Sequence, residues 1–229
     1  MKTSIRNTLL LCTGIFLACM LAACATHQAR KTSTTTFLGD YSMLKQGGEG
    51  RALLLYINPE ANLKAYKAIM MDPVKLYASG KNEMEKLTPE DRKLILNYAD
   101  AKIREQLAVG YTLVKTAGPG VMHLRVAITE AEDANVTLDT ISTIVPIGLA
   151  LGGLTALGTG EWGFTGSAGV EVEMLDSVSG KRLFAAVDRR TGAKVTGKGD
   201  KFDDWRTVKN SIDYWANKLR ERLAEARAK

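Results

Sequence analysis

The 229-residue chain carries three cysteines, Cys12, Cys19 and Cys24, and none after them. Everything beyond position 24 therefore lacks a disulfide scaffold, a thiol nucleophile and a cysteine-ligated metal. Histidine is equally scarce: His27 and His123 are the only two, which removes most imidazole-based metal and acid–base sites. Five prolines and 7% aromatics leave no proline-rich or aromatic low-complexity tract. What is present, 45% hydrophobic and 24% charged residues, is ordinary globular composition and excludes collagen-like, coiled-coil and disordered chains. The length fits one domain with room for an insertion.

The N-terminus reads as a processing signal. Lys2 and Arg6 form a short positive region, and Leu9 to Ala23 is an uncharged apolar run of 15 residues. That run is shorter than the ~20 residues a spanning helix needs, and it ends in small residues. Leu21-Ala22-Ala23-Cys24 resembles a bacterial lipobox, which implies cleavage between Ala23 and Cys24 and lipid attachment at Cys24. Ala25 follows; by resemblance to known lipoproteins, an Asp there implies inner-membrane retention, so the expected location is the outer membrane with the domain facing the periplasm. Residues 1–23 are thus a signal, and 24–36, polar and threonine-rich, are expected to be a flexible tether.

Residues 37–229 are expected to form a single domain. Leu53 to Ile57 is a short apolar run, strand or extended. Asn58-Pro59 has the form of a helix start, and Ala65 to Leu76 that of a strand broken at Asp72-Pro73. Thr88-Pro89-Glu90-Asp91 is a strong helix N-terminus. The helix should bury Leu94, Ile95, Tyr98, Ala101, Ile103 and Leu107 and stop near Gly110. Tyr111–Lys115 and Val121–Thr129 read as strands, the second with Met122, Leu124, Val126 and Ile128 on one face and His123 and Arg125 on the other. A hairpin spans Ala168 to Asp188 with its turn at Ser177 to Gly180. A final amphipathic helix begins at Asp203 or Asp204 and aligns Trp205, Val208, Ile212, Trp215, Leu219 and Leu223. The expected fold is α/β (α+β), a two-layer sandwich with a mixed sheet of about four to five strands and two main helices on one face.

Several of these residues carry a resemblance. Phe37-Leu38-Gly39-Asp40-Tyr41-Ser42-Met43-Leu44, Tyr66-Lys67, Asp72-Pro73-Val74, and Asp176-Ser177 followed by Ser179-Gly180, together with the lipobox, resemble a family of proteobacterial lipoproteins known as domain of unknown function 3313. The resemblance runs from about Phe37 to the C-terminal helix. It implies a lipoprotein and brings no catalytic residue with it.

Patterns that would carry chemistry fail on context. Gly158-Thr159-Gly160-Glu161-Trp162-Gly163 fits the dinucleotide fingerprint by letter, but a strand follows where a helix must start. Gly192 to Gly199 nearly matches a phosphate loop, with Gly199 where the Mg²⁺-binding hydroxyl belongs. A serine hydrolase would have to rely on His123, without a Gly-x-Ser-x-Gly elbow. Glu171 and Glu173 alternate with valines and read as the solvated face of a half-buried strand. Glu130, Glu132 and Asp133 read as a solvated loop without a calcium-loop pattern. No catalytic residue, metal site or cofactor is expected.

Two features point to contacts. Residues 140–160 form 21 consecutive uncharged positions including Ile141, Ile144, Val145, Ile147, Leu149, Leu151 and Leu154. Pro146 and five glycines disfavour one continuous helix. The segment reads as a buried loop or helix pair, a partner or self-association contact, or a membrane-inserting element. Charge is also uneven: residues 181–229 hold 14 basic and seven acidic side chains, whereas 24–180 hold 15 and 18. Arg189, Arg190, Lys194 and Lys198 are therefore candidate anion contacts, either for lipid phosphates or for an acidic partner. An envelope address excludes nucleic acid. The expected function is a non-catalytic periplasmic binding or envelope-assembly factor held to the membrane by its N-terminal lipid. The alternatives are an oligomeric membrane-inserting or secretion-related subunit using 140–160, and an envelope hydrolase.

Overall fold

The computed structural model describes residues 26–29, 31–77, 84, 87–132, 166–192 and 205–228. In chain order the elements are β1 (His27–Gln28), β2 (Lys45–Gln46), β3 (Leu54–Ile57), a 3-10 turn (Leu63–Ala65), β4 (Ala68–Met71), β5 (Lys75–Leu76), α1 (Pro89–Leu107), β6 (Thr112–Val114), β7 (Val121–Glu132), β8 (Ser167–Asp176), β9 (Arg182–Thr191) and α2 (Arg206–Ala228). The fold is α+β with one mixed sheet. Among the described residues the sheet has nine strands in the order β2-β3-β9-β8-β7-β4-β6, with β1 beside β9 and β5 beside β7. The expected four to five strands were too few, because β1, β2 and β5 are two-residue strands with no readable alternation.

The long antiparallel run β7-β8-β9 is the centre of the sheet. At the β7 bulge Gly169 lies so close that a Cβ there would sit 2.7 Å from Thr129 Oγ1. The broken strand at Asp72-Pro73 is real: β4 and β5 both pair in parallel with β7, before and after the interruption. Proline cannot donate to a ladder, so the strand parts there.

α1 begins as its sequence dictates. Thr88 caps it, its Oγ1 accepting from Asp91 N at 3.1 Å. The buried stripe is Ile95, Ala99, Ile103 and Leu107, whereas Leu94 is exposed and Tyr98 instead donates to Asp213 of α2. The expected stripe was rotated because α1 packs against α2 as well as against the sheet. α2 buries Val208, Ile212 and Leu223, as its periodicity requires. Asn58-Pro59 starts no helix: Asn58 Oδ1 accepts from Glu60 N at 2.9 Å in a side-chain-closed turn.

Both faces of the sheet are covered. The two helices and Ile69, Met122, Leu124, Ile128 and Met174 form the main core. On the opposite face Phe37 and Leu38 sit on Ala127, Ala185 and Val187, flanked by Tyr41, Leu44 and Tyr77. This segment acts as a strap over a face that simple alternation would leave to water. Nor are the described residues of 24–36 a free tether. Ala29 N bonds Arg189 O at 2.9 Å, Thr35 is buried, and Arg190 Nε donates to Thr26 Oγ1 at 2.7 Å. Polar side chains with no hydrophobic period still supply the acceptors that a buried arginine needs.

Candidate functional site

The helix face of the sheet is wider than its helices. Seven strands at ~4.8 Å spacing span roughly 29 Å, while two helices of about 10 Å each cover near four strands. Beyond α2, the inward side chains of β3 and β9, namely Leu55, Ile57, Phe184 and Ala186, have no helix above them among the described residues. They become the floor of an open cavity of about 410 Å³, within the ~300–1,000 Å³ usual for small-molecule sites.

Its inner wall is apolar, made by Val126, Ile128, Val170 and Val172 of the sheet with Ile103 of α1. α2 contributes Ile212, Trp215, Ala216 and Leu219, and the Asn58–Leu63 turn closes one side. Ile57, at the mouth, is 50% exposed. The charged lining residues are Arg51, Asp188, Lys218, Arg222 and Glu225, and buried Asn58, bonded within its own turn and to Arg182 O, also lines the cavity.

Nearly all of the rim charge is used. Asp188 is buried and accepts from Trp215 Nε1 at 2.8 Å, Gln28 Nε2 at 2.8 Å and Leu53 N at 3.3 Å. Lys218 pairs with Glu221 at 2.7 Å and Arg222 with Glu225 at 2.8 Å. Arg222 also reaches Gly50 O at 3.2 Å, bridging α2 to the β2–β3 loop. Arg51 is exposed, and its guanidinium makes no hydrogen bond or ion pair among the described residues. No run of sequence announces this cavity; Leu55, Phe184 and Trp215 lie far apart in the chain, and each reads alone as core.

The opposite face holds a charged cluster under the strap. Glu171 and Glu173 are 0% and 2% exposed, so the expected solvated pair is a buried one. Glu171 accepts from Thr35 N at 2.6 Å and from the Tyr41 hydroxyl. Burial, then the bond to Glu171, raises the Tyr41 hydroxyl above its ordinary pKa. Glu173 pairs with Arg125 and with Arg182 at 2.9 Å. Arg182 in turn donates to Leu38 O and Asp40 O, both at 2.7 Å. His123 bonds Asp72 at 2.8 Å beside Arg125. Strap donors stabilise buried Glu171, and the arginines of β7 and β9 stabilise buried Glu173, neither of which simple alternation reveals.

The motifs shared in sequence therefore meet at two structural points. Phe37, Leu38, Asp40, Tyr41 and Asp72 build the strap and its cluster. Tyr66 Oη donates to Asp176 Oδ2 at 2.9 Å, and Ser177 exchanges bonds with Gly118 N and O at the far end of the β8–β9 hairpin. Burial and Asp176 together push the Tyr66 hydroxyl up to about 12.

Arg189 and Arg190 do not face outward as anion contacts. Arg189 is paired with Glu130 at 2.8 Å. Arg190 is buried, stacked 3.6 Å from the Tyr214 ring centroid, and burial lowers its pKa. Glu130 thereby leaves the expected acidic loop and becomes part of β7. Asp133, Ala23, Cys24, Lys194, Lys198 and the run 140–160 (Ile141, Ile144, Val145, Ile147, Leu149, Leu151, Leu154) lie outside the described residues. Among the described residues no cluster of His, Asp and Glu could hold a metal ion, and no helix is long and apolar enough to cross a membrane.

Comparison with known proteins agrees with the motifs. The uncharacterized lipoprotein YdcL of Escherichia coli K12 is 26% identical over 180 residues, covering 78% of this chain and 80% of that one. Among solved structures, the PelC dodecamer from Paraburkholderia phytofirmans aligns over 72% of this chain and 94% of its own, with 14% identity and a TM-score of 0.37. A DUF4136 family protein from Bacteroides thetaiotaomicron aligns over 76% and 95%, with 12% identity and a TM-score of 0.33. The model of the family described as protein of unknown function (DUF3313) matches residues 33–219, from the strap through most of the last helix, and the chain belongs to that family.

Proposed function

We propose that the protein is a non-catalytic binding factor, anchored by lipid at Cys24 to the periplasmic face of the outer membrane, and that it acts through the cavity between α2 and the β3–β9 part of the sheet. The observation that carries this reading is the open, largely apolar cavity of roughly 410 Å³, whose buried polar lining residues Asn58 and Asp188 are engaged in internal hydrogen bonds. Filling it with an apolar ligand removes its apolar lining from water, at roughly 25 cal/mol per Å² of area. The lipobox and the lipoprotein relative support the anchor. The buried network under the strap serves the fold, since its carboxylates are occupied by internal donors.

The test has two arms. Membrane fractionation should place the mature chain with outer-membrane markers, and Cys24→Ala should release it. Native mass spectrometry of the purified chain should show a bound apolar compound that is lost when Ala186→Phe fills the cavity floor. Recovery in the inner membrane contradicts the address, and a ligand-free spectrum with no uptake of an apolar probe contradicts the binding role.

A further inference from the structure

The rim of the cavity is electrostatically one-sided. Its two carboxylates are engaged, Asp188 by three donors and Glu225 by Arg222. Lys218 is compensated by Glu221. Arg51 is left as the uncompensated charge among the described rim residues, on the loop that Arg222 ties to α2 through Gly50 O. An apolar interior with one unpaired guanidinium at its mouth complements a ligand with one apolar tail and an anionic head. A cationic head meets no free carboxylate among the described rim residues, and a neutral one leaves Arg51 unused.

The position of the N-terminus supplies a source for such a ligand. Gln28 Nε2 donates to Arg51 O at 2.6 Å and to Asp188 Oδ1 at 2.8 Å, so its side chain touches the rim itself. Cys24 precedes Gln28 by four residues, at most about 14 Å of extended chain. β1 and Thr26 are held to β9 by backbone pairing and by Arg190. A lipid on Cys24 therefore holds the mouth close to the leaflet rather than at the end of a long leash.

We infer that the cavity takes a single acyl chain with an anionic head from the leaflet to which the protein is anchored, the tail lying between Trp215 and the β3–β9 floor and the head against Arg51. The inference rests on the proposed binding role of the cavity and adds the ligand's chemical class and its source.

The experiment uses the mature chain carrying Cys24→Ala, with a fluorescent apolar probe displaced by dodecanoate, dodecanol or dodecylammonium. Dodecanoate should displace it about tenfold more effectively than the other two, and Arg51→Gln should abolish that preference while leaving dodecanol unchanged. Ala186→Phe and, as a second variant at the mouth, Ala52→Phe should reduce displacement by all three, with circular dichroism confirming the fold. For the source, the lipidated wild-type chain reconstituted in phosphatidylcholine vesicles should be crosslinked at the cavity by a diazirine-bearing fatty acid residing in the same vesicles. Equal displacement by the three heads, with Arg51→Gln inert, overturns the anionic class while the cavity reading stands. No crosslink at the cavity of the reconstituted chain, although dodecanoate displaces the probe, overturns the membrane source. Undiminished binding in both filled variants, or no displacement at all, overturns the cavity reading and this inference with it.

Discussion

Trp215 on α2 donates its indole N–H to the buried carboxylate of Asp188 on β9 at 2.8 Å, beside the cavity mouth. The same carboxylate receives Gln28 from β1 and Leu53 N from the loop before β3. One side chain thus ties the last helix, the sheet and the N-terminal strand β1 together. Asp188→Ala strands three donors, and a lost bond to a buried partner costs about 1–3 kcal/mol. Urea unfolding should show that loss, and limited proteolysis of the native protein should cut faster near residues 26–30. Unchanged proteolysis would show that β1 is held by its backbone pairing alone.

The strap depends on the buried carboxylates. Glu173→Ala leaves Arg125 and Arg182 without their common partner, and removing one member of a buried pair costs roughly 3–5 kcal/mol. Tyr41→Phe removes one donor to Glu171 and should cost about 1–2 kcal/mol. Chemical denaturation measures both. The larger loss belongs to Glu173→Ala, and a reversed order contradicts the assignment of Glu173 as the strap's main ionic tie.

Sequence patterning located what is local and missed what is not. Thr88-Pro89, the Met122-to-Ile128 alternation, the β8–β9 hairpin and the α2 stripe each follow from a periodicity or a cap that neighbouring residues determine. Glu171 and Glu173 obey the same alternation, yet they are buried because Phe37 to Tyr41, more than a hundred residues earlier, fold over them. Thr26, Gln28 and Lys45 lack hydrophobic period, and their order comes from pairing with β9 and β3. The cavity was illegible for a related reason: among the described residues it lies where α1 and α2 stop covering the sheet, and its lining comes from distant parts of the chain.

Asp176 carries a pH dependence of known sign. The Ser179 backbone N–H, aided by the Ser179 and Tyr66 hydroxyls and Val178 N, holds its carboxyl below the ordinary value of 3.8. A depressed folded-state pKa contributes stability that is present above the unfolded value and lost as pH falls through the folded one. Asp176→Asn should flatten the acid side of the stability profile below about pH 4 without changing its slope near neutrality. A profile that stays parallel to wild type throughout removes Asp176 from the acid response.

Gly169 has a steric reason to be glycine. Gly169→Ala sets a Cβ 2.7 Å from Thr129 Oγ1, an overpacking expected to cost about 1–3 kcal/mol. Adding Thr129→Ala removes the nearest atom and should restore part of the loss in thermal unfolding. Strict additivity of the two substitutions would place the strain elsewhere in the bulge.

The most direct test of the cavity as the working site is photocrosslinking. A fatty acid with a terminal diazirine, irradiated with the mature chain and mapped by peptide mass spectrometry, should label α2 near Trp215 and Leu219 and the β3–β9 floor near Leu55 and Ala186. Labelling confined to the strap face around Phe37 and Tyr41, or spread without preference over the surface, contradicts it.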